Sequence, residues 1–209
     1  GVRPRIKGQS DLRFNTGGNL ITDRVSITGR GGANPGSVFN RIRDVVSSAT
    51  FRVGPEWEDG PYTDFYSPVI SRDTIRPGMP VYDINGHVVV IYKVAEDGRI
   101  HYMDSHPDYS LTRSVFGAQF GRADPNLGAG IKAWRPIELV GATRRGDELV
   151  GGRIILAKNN EIPTFSMEQY HGNVPDPGGD WHAGKFIRDG VEMGYYEYVR
   201  AQLSSGEFH

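Results

Sequence analysis

The sequence predicts an α+β fold: an antiparallel sheet of about five or six strands packed against one or two helices, with long loops between them. Three observations point there. Apolar β-runs at His87 to Val94 and Arg99 to Asp104 flank a turn at Ala95 to Gly98. Helical spacing is confined to a stretch near Gly36 to Ala49 and another near Val191 to Leu203. The 28 glycines and 13 prolines are spread along the chain rather than clustered, so they mark many turns and ordered loops and not a flexible linker. With 209 residues, 37% of them hydrophobic and 11% aromatic, the chain can build one substantial core. A single domain over 1–209 is expected: a loop-rich wrapping segment at 1–33, a helix-plus-sheet core at 34–157, and a C-terminal extension at 158–209 that ends in a helix.

Each element follows from local chemistry. Asn34-Pro35-Gly36-Ser37 reads as a helix start, with Asn34 as N-cap and Pro35 at the first helical position, where its missing N–H costs nothing. Val38, Ile42, Val45, Val46 and Ala49 then form an apolar stripe, with Arg41, Arg43 and Asp44 on the other side. From Thr50 to Gly78 the pattern is broken by glycines and prolines among the aromatics Phe51, Trp57, Tyr62, Phe65 and Tyr66. Such a loop either covers the core or lines a groove; the groove reading makes Trp57, Tyr62 and Tyr66 candidate substrate-binding residues. A short strand at Met79 to Tyr82, a turn containing Asn85-Gly86, and the two apolar runs make a β-meander. Further strands are expected at Gly130 to Arg135 and Gly152 to Ala157. The last helix is expected over Val191 to Leu203, where Val191, Tyr195, Val199 and Leu203 recur at four-residue steps.

Composition removes several functions. With 24 basic against 25 acidic residues and a net charge of −1, nothing favours nucleic acid or an anionic membrane surface. The longest apolar run, around Val88 to Val94, falls far short of the roughly 20 residues that span a bilayer. There are 0 cysteines, hence no disulfide framework and no thiolate metal site. No cofactor motif is present: Thr28-Gly29-Arg30-Gly31-Gly32 lacks the ending of a phosphate loop. The opening Gly1-Val2-Arg3 reads as a processed or truncated product, or one whose leading residues are left out.

The chemistry concentrates in the central hairpin. If Ala95 to Gly98 form the turn, Val94 faces Arg99, Val89 lies opposite Asp104 and His87 opposite His106, so His87, Asp104 and His106 project from one sheet face. A two-residue turn keeps this parity and a three-residue loop breaks it. On that register the imidazole of His87 reaches the Asp104 carboxylate diagonally, and the carboxylate fixes one tautomer of a general base. A polar cap at the sheet rim is the plain structural alternative. A metal reading is also open: His101, Asp104, His106 and Asp108 with His87 are borderline or hard ligands, and His87, Asp104 and His106 resemble a two-histidine, one-carboxylate set.

Gly86-His87-Val88-Val89-Val90, Asp97-Gly98-Arg99-Ile100 and Asp104, preceded by Arg76-Pro77-Gly78-Met79-Pro80-Val81-Tyr82, together resemble the second half of the NlpC-type and CHAP amidase superfamily of papain-like cysteine peptidases. The resemblance covers roughly Arg76 to Asp104. It implies a papain-like fold and hydrolysis of an amide bond in cell-wall peptide, with His87 as general base, Asp104 as its orienting residue and His106 as a less favoured third member. The implied partner is a peptide or peptidoglycan-like substrate, and the implied location is periplasmic or secreted.

That superfamily carries its nucleophilic cysteine at the start of a helix upstream of these strands, where the helix dipole and the histidine lower the thiol pKa. Here Ser37 stands near the helix start, and no Gly-x-Ser-x-Gly elbow supports a serine nucleophile. Three explanations are open: the cysteine lies in an upstream segment or second chain, it has been replaced, or the domain is a non-catalytic relative that binds glycan, peptide or a protein partner.

Overall fold

The computed structural model describes residues 34–45, 48, 51–55 and 63–206. The expected wrapping segment at 1–33, and with it Trp57 and Tyr62, lies outside the described residues.

Helix α1 spans Pro35–Val45, with Asn34 capping it as expected: Ser37 N donates to Asn34 Oδ1 at 3.2 Å. Of the described side chains of its apolar stripe, Val38 is half-buried and Ile42 is 46% exposed, and Phe39 beside them is 69% exposed. Strands β1 (Phe65–Tyr66), β2 (Pro80–Tyr82), β3 (Val88–Val94), β4 (Ile100–Ser105), β5 (Leu111–Val115), β6 (Gly130–Ile131) and β7 (Ala133–Trp134) follow. One antiparallel sheet of five strands forms the centre, in the order β5-β4-β3-β2-β6, and β1 pairs with β7 beside it.

A two-stranded ribbon then leaves the body, with β8 (Ile137–Val140) paired to β11 (Arg153–Leu156) and β9 (Thr143–Arg145) to β10 (Glu148–Val150). Ile137, Leu139, Leu149, Val150, Ile154 and Ile155 are all exposed on it. The C-terminal part contains the short helix α2 (Glu168–His171), the hairpin β12 (Phe186–Arg188) and β13 (Val191–Met193), and helix α3 (Tyr195–Leu203). Among the described residues the molecule is thus α+β, mostly strands with few helices.

Among the described residues, α3 is the helix that contributes to the core. Val81, Val89, Ile91, Ile100 and Ile131 from the sheet pack with Tyr170, Phe186, Tyr195, Tyr198, Val199 and Leu203, so the segment expected as an extension covers the sheet. The expected start of that helix at Val191 is corrected. Asp189 and Gly190, with φ of 53° and 79°, make a tight turn between β12 and β13, and Val191 belongs to the second strand. Gly194 is the N-cap, and its N–H donates to Glu197 Oε2 at 3.2 Å, which sets the helix start after it.

Buried polar groups hold the segments together. Lys132, 1% exposed, donates to Tyr170 Oη at 2.8 Å and Ser67 Oγ at 3.3 Å. Arg122 donates to the carbonyls of Tyr170, Trp181, His182 and Gly184, and lies 4.8 Å from the centre of the Phe186 ring. The Arg122 bonds tie the chain after β5 to α2 and to the loop before β12, and those of Lys132 tie the β6–β7 junction to α2 and to Ser67 after β1.

Candidate functional site

The turn between β2 and β3 delivers His87. Asp83 Oδ1 accepts from the N–H of Asn85 at 2.9 Å and of His87 at 2.7 Å, and Asp83 N donates to His87 O at 3.0 Å. Gly86, at φ 91°, supplies the left-handed step. Beneath the turn lies the fully buried Arg52, whose guanidinium donates to the carbonyls of Asp83 at 2.7 Å, His87 at 2.8 Å and Leu127 at 3.3 Å, and sits 4.9 Å from the centre of the Tyr82 ring. Burial pushes the Tyr82 hydroxyl up, with the charges of Arg52 and Lys132 opposing it. The histidine backbone is therefore fixed from both sides before its side chain makes any contact.

His87 shares the face of Val89 and Ile91, the buried face of β3. Its partner arrives by a route the sequence does not display. Ala95 N donates to Arg99 O at 2.9 Å and Gly98 N to Ala95 O at 3.0 Å, with Gly98 at φ 82°, so the β3–β4 loop has three residues, Glu96 to Gly98. That is the loop expected to break the parity. Val94 accordingly pairs with Ile100 rather than Arg99. Tyr92 is then an extra residue in β3, and beyond this bulge the pairs Ile91–Tyr102 and Val90–Met103 return to the register that puts Val89 opposite Asp104.

At the end of the sheet His87 Nε2 lies 2.8 Å from Asp104 Oδ2, with the His87 side chain 35% and that of Asp104 8% exposed. Thr112, directly opposite Asp104 on β5, donates its hydroxyl to Asp104 Oδ1. His106 Nε2 lies 3.1 Å from Thr112 Oγ1 and 3.6 Å from Asp104 Oδ2, and its ring stacks on that of His87 at 6.2 Å between centres. Burial raises the Asp104 carboxyl, but the hydrogen bonds from Thr112 and His87 and the charges of His106 and His87 outweigh it, so the group is held below its ordinary value.

Proton bookkeeping then assigns the nitrogens. An ionised carboxylate only accepts, so His87 Nε2 carries the proton in the neutral ring and Nδ1 is left as a lone-pair acceptor. The single proton of Thr112 goes to Asp104, so His106 Nε2 donates to Thr112. The cluster joins an imidazole whose free nitrogen is Nδ1, a carboxylate that holds its ring, and a hydroxyl between that carboxylate and a second histidine.

Of the sequence-based candidates, His87, Asp104 and His106 come together. Tyr66 does not line a groove: it is 6% exposed, belongs to the core, and its hydroxyl lies 2.7 Å from Thr164 Oγ1. Trp57 and Tyr62 lie outside the described residues. The metal neighbourhood is also corrected. His101 points to the other sheet face with its ring 6.0 Å from that of Tyr92, and Asp108 is turned to the Ser110 N–H and hydroxyl. Among the described residues no group of three or more His, Cys, Asp or Glu side chains is placed to hold a metal ion.

Thr112 and Arg52 were missed. The alternation in Leu111-Thr112-Arg113-Ser114-Val115, after the turn at His106 to Ser110, was the signal for β5 and hence for Thr112; Arg52 carries no local signal. No helix of the described residues is long and apolar enough to cross a membrane. No family model, curated protein or solved structure matches the chain.

Proposed function

We propose that the chain carries the base and orienting residue of an amide-bond hydrolase of the papain-like cysteine peptidase or amidase type, acting on cell-wall peptide outside the cell membrane. The observation that carries this reading is the 2.8 Å contact of His87 Nε2 with Asp104, which leaves Nδ1 free to take a proton. The sequence has 0 cysteines, so on this reading the thiol is supplied by an upstream segment or second chain, or stood at a position where it has been replaced. His87 Nδ1 takes the thiol proton, the thiolate attacks the amide carbonyl carbon, and the imidazolium returns the proton to the departing amine. A water, deprotonated by the same nitrogen, then releases the acyl group and regenerates the thiol. Asp104 stays ionised throughout and holds the ring.

The test is hydrolysis of peptidoglycan-derived peptide amides by the longest encoded polypeptide, compared with its His87→Ala and Asp104→Ala variants. We expect a loss of about 10²–10⁴-fold for His87→Ala with the folded amide spectrum retained. Unchanged turnover in that variant refutes the reading. A second reading, a non-catalytic module that binds peptide, glycan or a protein partner, is favoured by the absence of a thiol, and predicts ligand binding without turnover by the full polypeptide.

A further inference from the structure

The turn that delivers His87 contains a chemically labile pair. Asn85 is the only asparagine of the chain followed by glycine. In such a pair the glycine nitrogen can reach the side-chain carbonyl carbon of the asparagine, because glycine brings no Cβ to obstruct the approach. The turn leaves both reacting groups available. Asn85 is exposed, and its carboxamide makes no hydrogen bond among the described residues. The N–H groups of Asn85 and His87 are held by Asp83 Oδ1 at 2.9 and 2.7 Å, whereas that of Gly86, the attacking group, reaches Asp83 O only at 3.4 Å, beyond the usual range of such a bond.

The β3–β4 loop shows the opposite arrangement around the acidic counterpart of the same pair, Asp97-Gly98. Gly98 N donates to Ala95 O at 3.0 Å, and Gly98 lies against the Arg200 carbonyl. The Asp97 carboxylate accepts from the Arg99 N–H at 3.2 Å and from Arg99 Nε at 2.6 Å. These bonds, the backbone one first, hold the Asp97 carboxyl below its ordinary value, and an ionised carboxylate is a poor electrophile. Local packing, and not the dipeptide alone, thus singles out Asn85.

Asp83 Oδ1 bonds to the N–H groups on both sides of Gly86, so it spans a fixed length of backbone. A chain rerouted through the Asn85 side chain is longer by one methylene. Asp83 then cannot hold both groups, and His87 loses the support that sets its ring against Asp104.

We propose that Asn85 is a modification site at which the chain's own backbone undoes the His87–Asp104 pair. The Gly86 nitrogen gives its proton to solvent base and bonds to Asn85 Cγ, and the carboxamide nitrogen takes up a proton and leaves as ammonia. Water then opens the succinimide ring at either carbonyl, giving aspartate or isoaspartate at position 85, and the isoaspartate carries the extra methylene. This does not rest on the hydrolase reading, and its test contains no turnover.

The whole chain is aged in warm, mildly alkaline buffer and sampled for intact mass, peptide mapping and the ¹⁵N signals of the His87 imidazole. We expect the amide-to-acid mass gain to map to Asn85, at a rate no more than about tenfold below that of the urea-unfolded chain, since exposed turns open at little free-energy cost. As isoaspartate accumulates, a matching fraction of His87 should lose its preference for a proton on Nε2. Asn85→Gln, whose longer side chain closes a larger ring more slowly, should keep the mass and the His87 signals of the fresh protein. An Asn85 that survives while the unfolded chain converts, a mass gain spread over the other asparagines, or isoaspartate at position 85 with unchanged His87 signals would each overturn the proposal. So would equal loss of the His87 signals in Asn85→Gln.

Discussion

Replacing Arg52 by methionine tests the support under His87. The guanidinium is fully buried and bonded to the carbonyls of Asp83, His87 and Leu127, at 2.7, 2.8 and 3.3 Å. Hydrogen bonds to a charged donor contribute about 1.5–3 kcal/mol each, and the two short ones dominate. Two terms reduce the loss: His87 O keeps the Asp83 N–H at 3.0 Å, and methionine removes the cost of burying a charge. The net destabilisation should be about 2–4 kcal/mol. At about 2–4 °C per kcal/mol for a chain of this size, the melting temperature should fall by roughly 4–16 °C. Urea and thermal melts of Arg52→Met and Arg52→Lys measure it, with lysine recovering part of the loss because a point charge reaches fewer carbonyls than a planar fork. In the same samples the His87 imidazole signals should move. A loss below about 0.5 kcal/mol, within the range of ordinary surface substitutions, together with unmoved His87 signals, refutes the role of Arg52.

Two further outcomes follow from the geometry. The Asp104 carboxyl lies below its ordinary value in the folded state, so its contribution to stability is complete above the unfolded carboxyl pKa, near 4, and is lost as pH falls through the folded value. Thr112→Val removes one of the bonds that lower it, so the acid limb of the stability–pH curve should move to higher pH; an unmoved limb in melts across the acid range contradicts the assignment. Gly98→Ala puts a Cβ into the Arg200 carbonyl at a φ of 82°, and should cost about 2 kcal/mol or more in urea melts, since neither the turn nor α3 can yield cheaply. A melting curve equal to that of the parent chain would mean that the hairpin does not rest on α3.

The legible parts of the fold are those written in local chemistry. Asn34-Pro35 announced α1, and Asn85-Gly86 and Asp97-Gly98 announced the turns around β3 and β4. That α3 covers the sheet was not legible, because α1 and α3 carry similar apolar stripes and only tertiary packing tells what such a stripe meets. The partnership of His87 and Asp104 could be anticipated from an assumed four-residue turn, yet the chain uses a three-residue loop and a bulge at Tyr92, two irregularities that cancel. Nothing in Tyr92 distinguishes it from its neighbours as a bulge. Tyr66 misled because an aromatic in a proline-rich loop looks the same whether it faces a groove or the core. Arg52 was invisible for a related reason: its acceptors are backbone carbonyls distant in sequence, and these leave no pattern.

The central claim is that Asp104 holds His87 with Nδ1 open. ¹⁵N NMR of the imidazoles, recorded with the rings neutral, addresses it directly. The account predicts that His87 carries its proton on Nε2, hydrogen-bonded to Asp104, and that Asp104→Ala abolishes that tautomer preference while the amide spectrum of β2 and β3 persists. A proton on Nδ1, or a His87 signal indifferent to Asp104→Ala, would contradict it.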